Sequence, residues 1–109
     1  MSQPDFGELL ARAQQMQGRL AELQRSLALR TVEASAGGGM VTAVATGALR
    51  IRELRIEPSL LASADREMLQ DLAAAAVNAA LAAAERMVRD EMQRAAVAAG
   101  LPLGTTPGR

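Results

Sequence analysis

The alanine-rich stretch from Ala64 to Ala99 sets the strongest limit on what this chain can become. Read as one helix at 1.5 Å per residue it is about 50 Å long, more than a sheet of roughly seven-residue strands can cover. Its far half must project beyond whatever the near half packs on. Ser63 or Asp65 can cap the start, and Asp65, Glu67 and Asp71 suit the positive end of the helix dipole. Gly100 followed by Leu101 and Pro102 reads as a left-handed cap and a stop. Residues 101–109 hold too few apolar side chains to pack, so they are expected to be disordered beyond one folded domain over residues 1–100.

The segment ahead of this helix has a different period. Thr31 to Ala36 alternates polar Thr31, Glu33 and Ser35 with apolar Val32, Ala34 and Ala36, the pattern of a half-buried strand. Gly37, Gly38 and Gly39 supply the positive backbone angles of a tight hairpin, and Met40 to Thr46 runs back with Val41, Ala43 and Ala45 in phase. Gly47 and Ala48 make a second turn. A third strand, about Arg50 to Glu57, puts Leu54 and Ile56 inward and Arg55 and Glu57 outward. Ile51 falls out of that phase and marks either a bulge or an apolar spot at a partner's edge. Pro58 ends the strand, and Ser59-Leu60-Leu61 reads as a turn.

The chain opens with a helix expected from about Phe6 to Leu29. Asp5 can cap it, with Glu8 placed to close a capping box. Leu9, Ala13, Met16, Leu20, Leu23 and Leu27 alternate spacings of four and three, a heptad seam of about three heptads. So narrow a seam packs on another helix, which is either the chain's own second helix or one from another chain. The fold class is therefore α+β: a long N-terminal helix, a three-stranded antiparallel meander and a long C-terminal helix.

Three pieces in this order resemble the YbaB/EbfC family of bacterial nucleoid-associated proteins. They are Ala13-Gln14-Gln15-Met16-Gln17 in the first helix, the hairpin Gly37-Gly38-Gly39-Met40-Val41, and the strand Leu54-Arg55-Ile56-Glu57 leading through Pro58 to the acidic helix start and Asn78. The resemblance implies a tweezer-like homodimer whose sheets form the centre and whose helices form arms. It also implies binding of double-stranded DNA, coating or bridging it in the cytoplasmic nucleoid. The chain departs from the family in lacking lysine and in replacing a methionine-rich C-terminus with Leu101-Pro102-Leu103-Gly104, so contacts that lysine makes elsewhere do not carry over.

Composition narrows the chemistry. Cysteine and histidine are both absent, which excludes disulfides, Ser-His and Cys-His nucleophiles and the usual zinc ligand sets. No metal, cofactor or small-molecule substrate is expected. Glu67 with Asp71, and Asp90 with Glu91, are the tight carboxylate pairs on helices, and each reads as solvated surface rather than catalytic machinery. The triple glycine joins two strands with no Gly-Lys-Ser/Thr behind it, so it is a hairpin turn and not a phosphate loop. Phe6 is the sole aromatic residue, so stacking on single-stranded bases has no platform. No uncharged apolar stretch reaches eighteen residues, and neither membrane insertion nor export is expected.

Twelve basic residues offset twelve acidic ones, so attraction to polyanions must be local. All the cations are arginine, which forks two hydrogen bonds onto phosphate. Arg12 and Arg19 flank the seam of the first helix, and Arg86, Arg89 and Arg94 lie on the projecting half of the second. These are the candidate DNA contacts. Against them stand Glu8, Glu85 and Asp90, each four residues before an arginine and placed for an intrahelical ion pair. The alanine stripe from Ala73 to Ala84 beside the heptad seam is more apolar helix surface than three short strands cover, which points to a homodimer. Val77, Asn78, Leu81 and Ile51 are its candidate interface, with Asn78 expected as a lone buried amide fixing register. The alternative is a helical scaffold that binds a protein partner through the seam, without physiological DNA binding.

Overall fold

The computed structural model describes residues 5–63 and 65–100. The tail expected at 101–109 lies outside them. In chain order the elements are α1 (Phe6–Leu29), β1 (Thr31–Ala36), β2 (Val41–Thr46), β3 (Ile51–Ile56), α2 (Pro58–Ala62) and α3 (Arg66–Ala98). The strands form one antiparallel sheet in the order β1-β2-β3. This is the α+β arrangement that the periodicities require.

Cross-strand pairing explains where the core sits. The rows Val32–Ala45–Ile51, Ala34–Ala43–Leu54 and Ala36–Val41–Ile56 line up apolar residues on one face of the sheet. α3 lies on that face through Ala76, Ala80 and Ala84, all with no exposed surface. Spaced by four, these small residues form one stripe and let the helix backbone approach the alanines of β2 closely. Leu60 adds the largest fully buried side chain besides Val41. It comes from α2, a helical turn where the sequence suggested only a turn. Pro58 presets the first helical dihedral, and burial of Leu60 fixes the rest.

Several local expectations hold. Gly37, Gly38 and Gly39 have φ of 66°, 68° and 95° in the β1–β2 hairpin, and Gly100 has φ 76° past α3. Asp65 caps α3, accepting from the Met68 amide at 3.0 Å, while Ser63 Oγ accepts from the Asp65 amide at 3.3 Å. Asp5 caps α1 by accepting from Gly7. Glu8 does not close the expected capping box; its carboxylate turns outward to Arg12.

β3 departs from expectation in a way that matters for function. Glu53 pairs with Val44 and Ile51 with Ala45, so Arg52 is the extra residue of a β-bulge. The bulge returns Ile51 to the phase of Leu54 and Ile56, and all three point to the α3 side. Yet α3 crosses β1 and β2 and barely reaches β3. Leu54, expected inward, is therefore 41% exposed and Ile51 36%.

Past the sheet, α1 and the last turns of α3 run on side by side, giving an elongated body of 77 × 34 × 15 Å. α1 turns into β1 against the β2–β3 turn so closely that a Cβ on Gly47 would stand 2.0 Å from the Leu27 carbonyl oxygen. Only glycine fits there. Beyond this crossing, Met16, Leu20 and Leu23 face Met92, Ala95 and Ala96 across a groove. The seam of α1 thus meets the chain's own second long helix over its C-terminal half, while Phe6 and Leu9 at its start stay exposed.

Candidate nucleic-acid interface

The five arginines singled out by sequence all sit on the projecting helices, and the fold sorts them by partner. Arg12 reaches Glu8 at 3.9 Å, with both side chains largely in water. A pair so exposed contributes under about 1 kcal/mol and yields readily to a phosphate. Arg19 lies on the rim of the groove between α1 and α3. Arg86 and Arg89 are exposed and three residues apart, about 60° around α3, so they share one side of the helix. Among the described residues none of Arg19, Arg86 and Arg89 has a carboxylate within ion-pair distance.

Arg94 differs. It lies about 140° around the helix from Arg89, and its partner is Glu91 rather than the expected Asp90. The same Glu91 carboxylate takes Arg30 at 3.3 Å, at the α1–β1 junction. The expected pair between Glu85 and Arg89 does not form among the described residues either. Spacing alone cannot settle such choices, because Arg30 arrives from the far end of α1. It is a residue that sequence reasoning passed over, and no local signal pointed to it.

Of the remaining exposed cations, Arg25 on α1 and Arg66 at the start of α3 have no ion pair among the described residues, and three others lie along β3 and the turn before it. On the face away from α3, Arg55 donates to Glu33 at 2.9 Å and to Glu53 at 3.1 Å. Both glutamates pair in register with Val44, so this cluster covers a valine that is only 6% exposed. Arg55 is therefore committed to the sheet. Arg50 and Arg52 carry no ion pair among the described residues. They follow Leu49, a non-glycine residue at φ 62° that shares a shallow depression with Arg89, Glu85 and Val88. Sequence gave no sign of that strained leucine.

The candidate interface residues fall into two groups. Val77 and Leu81 are half-buried against the core, on the flank of α3 that continues to Val88 and the β2–β3 turn. Ile51 and Leu54 remain as an uncovered apolar strip on β3. Asn78 is exposed in the single chain, not buried as expected, because the core stripe runs through residues 76, 80 and 84 and turns position 78 outward. Among the described residues no group of three or more acidic side chains could hold a metal. No helix among them is long and apolar enough to cross a membrane.

Comparison with known proteins bears on the family and the fold. A family model described as the YbaB/EbfC DNA-binding family matches residues 2–100. A nucleoid-associated protein of Acetivibrio thermocellus is 47% identical over 109 residues, covering 96% of this chain and 93% of that protein. Nucleoid-associated proteins of Thermoanaerobacter pseudethanolicus and Chlorobaculum tepidum are 43% and 38% identical, covering 83% and 88% of this chain and 81% and 85% of their own lengths. The crystal structure of the uncharacterized protein HP0035 from Helicobacter pylori superposes with a TM-score of 0.68 at 25% identity, over 84% of this chain and 97% of that one.

Proposed function

The chain belongs to the YbaB/EbfC DNA-binding family, and on that premise we propose that it binds double-stranded DNA as a homodimer, without catalysis, through arginines on its projecting helices. The observation that carries this reading is the placement of Arg19, Arg86 and Arg89 on those helices with no carboxylate partner among the described residues. Free guanidinium groups on an exposed helix side hold phosphates without first giving up an ion pair. Arg12 joins them at small cost. Arg94 is a secondary contact, since it must leave Glu91.

Dimerisation rests on the uncovered strip. Ile51 and Leu54 are exposed on β3 and Val77 and Leu81 are only half-buried on α3, and a two-fold contact involving these residues, with Asn78 at its rim, would cover them in both copies. The sheets then form the centre and the helical pairs the arms of a tweezer that coats or bridges DNA in the nucleoid of a bacterial cytoplasm. Relatives named as nucleoid-associated support that location.

Titration of a duplex fragment with the protein at several salt concentrations is the test. With about four to six phosphates engaged per dimer, the log–log slope of affinity on salt is about −4 to −5. Replacing Arg86 and Arg89 together with alanine should flatten that slope and weaken all sequences alike. A folded, dimeric double variant with unchanged slope would move the interface to Arg50 and Arg52. The exposed start of α1, with Phe6 at 76% and Leu9 at 48% exposure, favours a second reading as a scaffold for a helical protein partner. Binding of that kind would hardly respond to salt.

A further inference from the structure

We propose that the groove between α1 and the end of α3 is a docking site for the chain's own segment Leu101-Pro102-Leu103. The inference is independent of DNA binding. The groove holds about 360 Å³ and is lined by Met16, Leu20, Leu23, Met92, Ala95 and Ala96, with Arg19 on its rim. Its lining is largely apolar, and α1 and α3 do not close it. Their backbones stay apart, so the facing side chains leave a trough between them.

The way α3 ends says what enters. Gly100 has φ 76°, and its amide donates to the Val97 carbonyl at 3.0 Å. With Ala99 as the cap, that bond matches the inner one of a Schellman motif. In this motif the residue after the left-handed glycine lays its side chain on the residue three positions before the cap. Those residues are Leu101 and Ala96, and Ala96 is a wall of the groove. A proline at 102 disfavours the helical region for the residue before it, which favours an extended path. In extended chain, positions 101 and 103 face the same side. The proposed docking seats Leu101 and Leu103 together in the trough.

Lengths agree as well. Met92 to Ala99 is seven helical steps, about 10 Å, and three extended residues reach about the same distance. A side chain ordered in this way covers Met16 and Leu20, 36% and 39% exposed in the described chain, with apolar surface that is already tethered beside them.

The absence of cysteine permits a clean test on the full chain. A nitroxide is attached at Thr105→Cys, outside the proposed contact, and the methionine methyl signals are read by NMR. The expected result is selective broadening of Met16 and Met92, with Met40 and Met68 unaffected. Met68 lies 24 helical steps from Met92, about 36 Å away. Adding Leu101→Ser and Leu103→Ser should abolish the broadening and speed amide exchange of residues 16–23 at least tenfold, with unchanged circular dichroism. Equal broadening of the Met16, Met40, Met68 and Met92 methyls, or no response to the serine changes, overturns the proposal. Broadening seen only when labelled and spin-labelled chains are mixed assigns the groove to another copy's tail and overturns same-chain docking.

Discussion

The two ends of this molecule are held by different means. At the sheet end, Val41, Ala43 and Ala45 meet Ala76, Ala80 and Ala84 with no exposed surface on either side. At the arm end, Phe6, Leu9 and Leu10 stand in water and α1 touches α3 only across a groove. Both ends are rich in apolar residues, so the difference is geometric. A stripe of small residues allows a helix to settle on a flat sheet, whereas large α1 side chains facing mainly alanines of α3 leave a gap. Stability is thus concentrated in the sheet, and the arm sits at the low end of local stability, where binding surfaces are commonly found. A fully extended exchange-protection map, with α1 residues 6–15 as protected as β2, would break this contrast.

The largest effect is expected where the two ends join. Gly47→Ala would place a methyl 2.0 Å from the Leu27 carbonyl oxygen, with Val88 at 3.3 Å on another side. Backbone cannot yield as a side-chain tip does, so the loss should reach the top of the usual overpacking range, about 3 kcal/mol. At 4 °C or more per kcal/mol, the melting point falls by about 12 °C. A drop under about 3 °C would show that α1 swings freely about this junction and that the arm is a separate body.

Next comes a matched pair of truncations. Leu60→Ala empties a site 2% exposed and should destabilise by about 3 kcal/mol in urea unfolding. Leu10→Ala removes the same atoms from a site 48% exposed and should change stability by less than about 0.5 kcal/mol. Equal costs would mean that the amino-terminal half of α1 is covered in solution.

These contrasts also mark what the sequence could reveal. Hairpin glycines, the caps at Asp5 and Asp65 and the alternation in β1 and β2 act within a few residues, so they were legible. Whether Leu54 is buried depends on which strands α3 crosses, and nothing near Leu54 encodes that. The out-of-phase Ile51 did carry a signal, resolved by the bulge at Arg52. Asn78 looked like a buried amide because its neighbours are apolar, but α3 buries only one stripe of them. For the arginines, the i,i+4 rule selected Asp90 and Glu85, and a distant residue, Arg30, reorganised the choice toward Glu91.

A smaller effect tests the outer face of the sheet. Arg55→Ala removes two half-exposed ion pairs and uncovers Val44, a loss of about 1 kcal/mol. Salt should remove only part of it, because the covering of Val44 is not electrostatic. Duplex affinity should stay within a factor of two. A large fall in affinity with normal stability would show that Arg55 leaves its glutamates to meet DNA, and that the sheet end shares the work assigned to the arm.

The smallest effect sits where stability and binding oppose each other. Glu91 is 24% exposed at its side chain and holds both Arg30, from the sheet end, and Arg94, on the arm. Glu91→Gln keeps the shape and removes the charge. The tie between α1 and α3 weakens, and two partly screened pairs are worth about 0.5 to 1 kcal/mol together, a fall of a few degrees in melting point. Arg94 is released at the same time, once in each copy of a dimer. If it then meets phosphate, the salt slope steepens by up to about 1.8, at about 0.9 per contact. Glu85→Gln, beside arginines that are already unpaired, should leave stability unchanged and tighten binding less. A protein that becomes less stable but binds duplex more steeply on losing Glu91 alone would show that this carboxylate divides the arginines between holding the arm and holding DNA. If Glu85→Gln has the larger effect on slope, the field near Arg86 and Arg89 governs binding, and the tie at Glu91 is structural only.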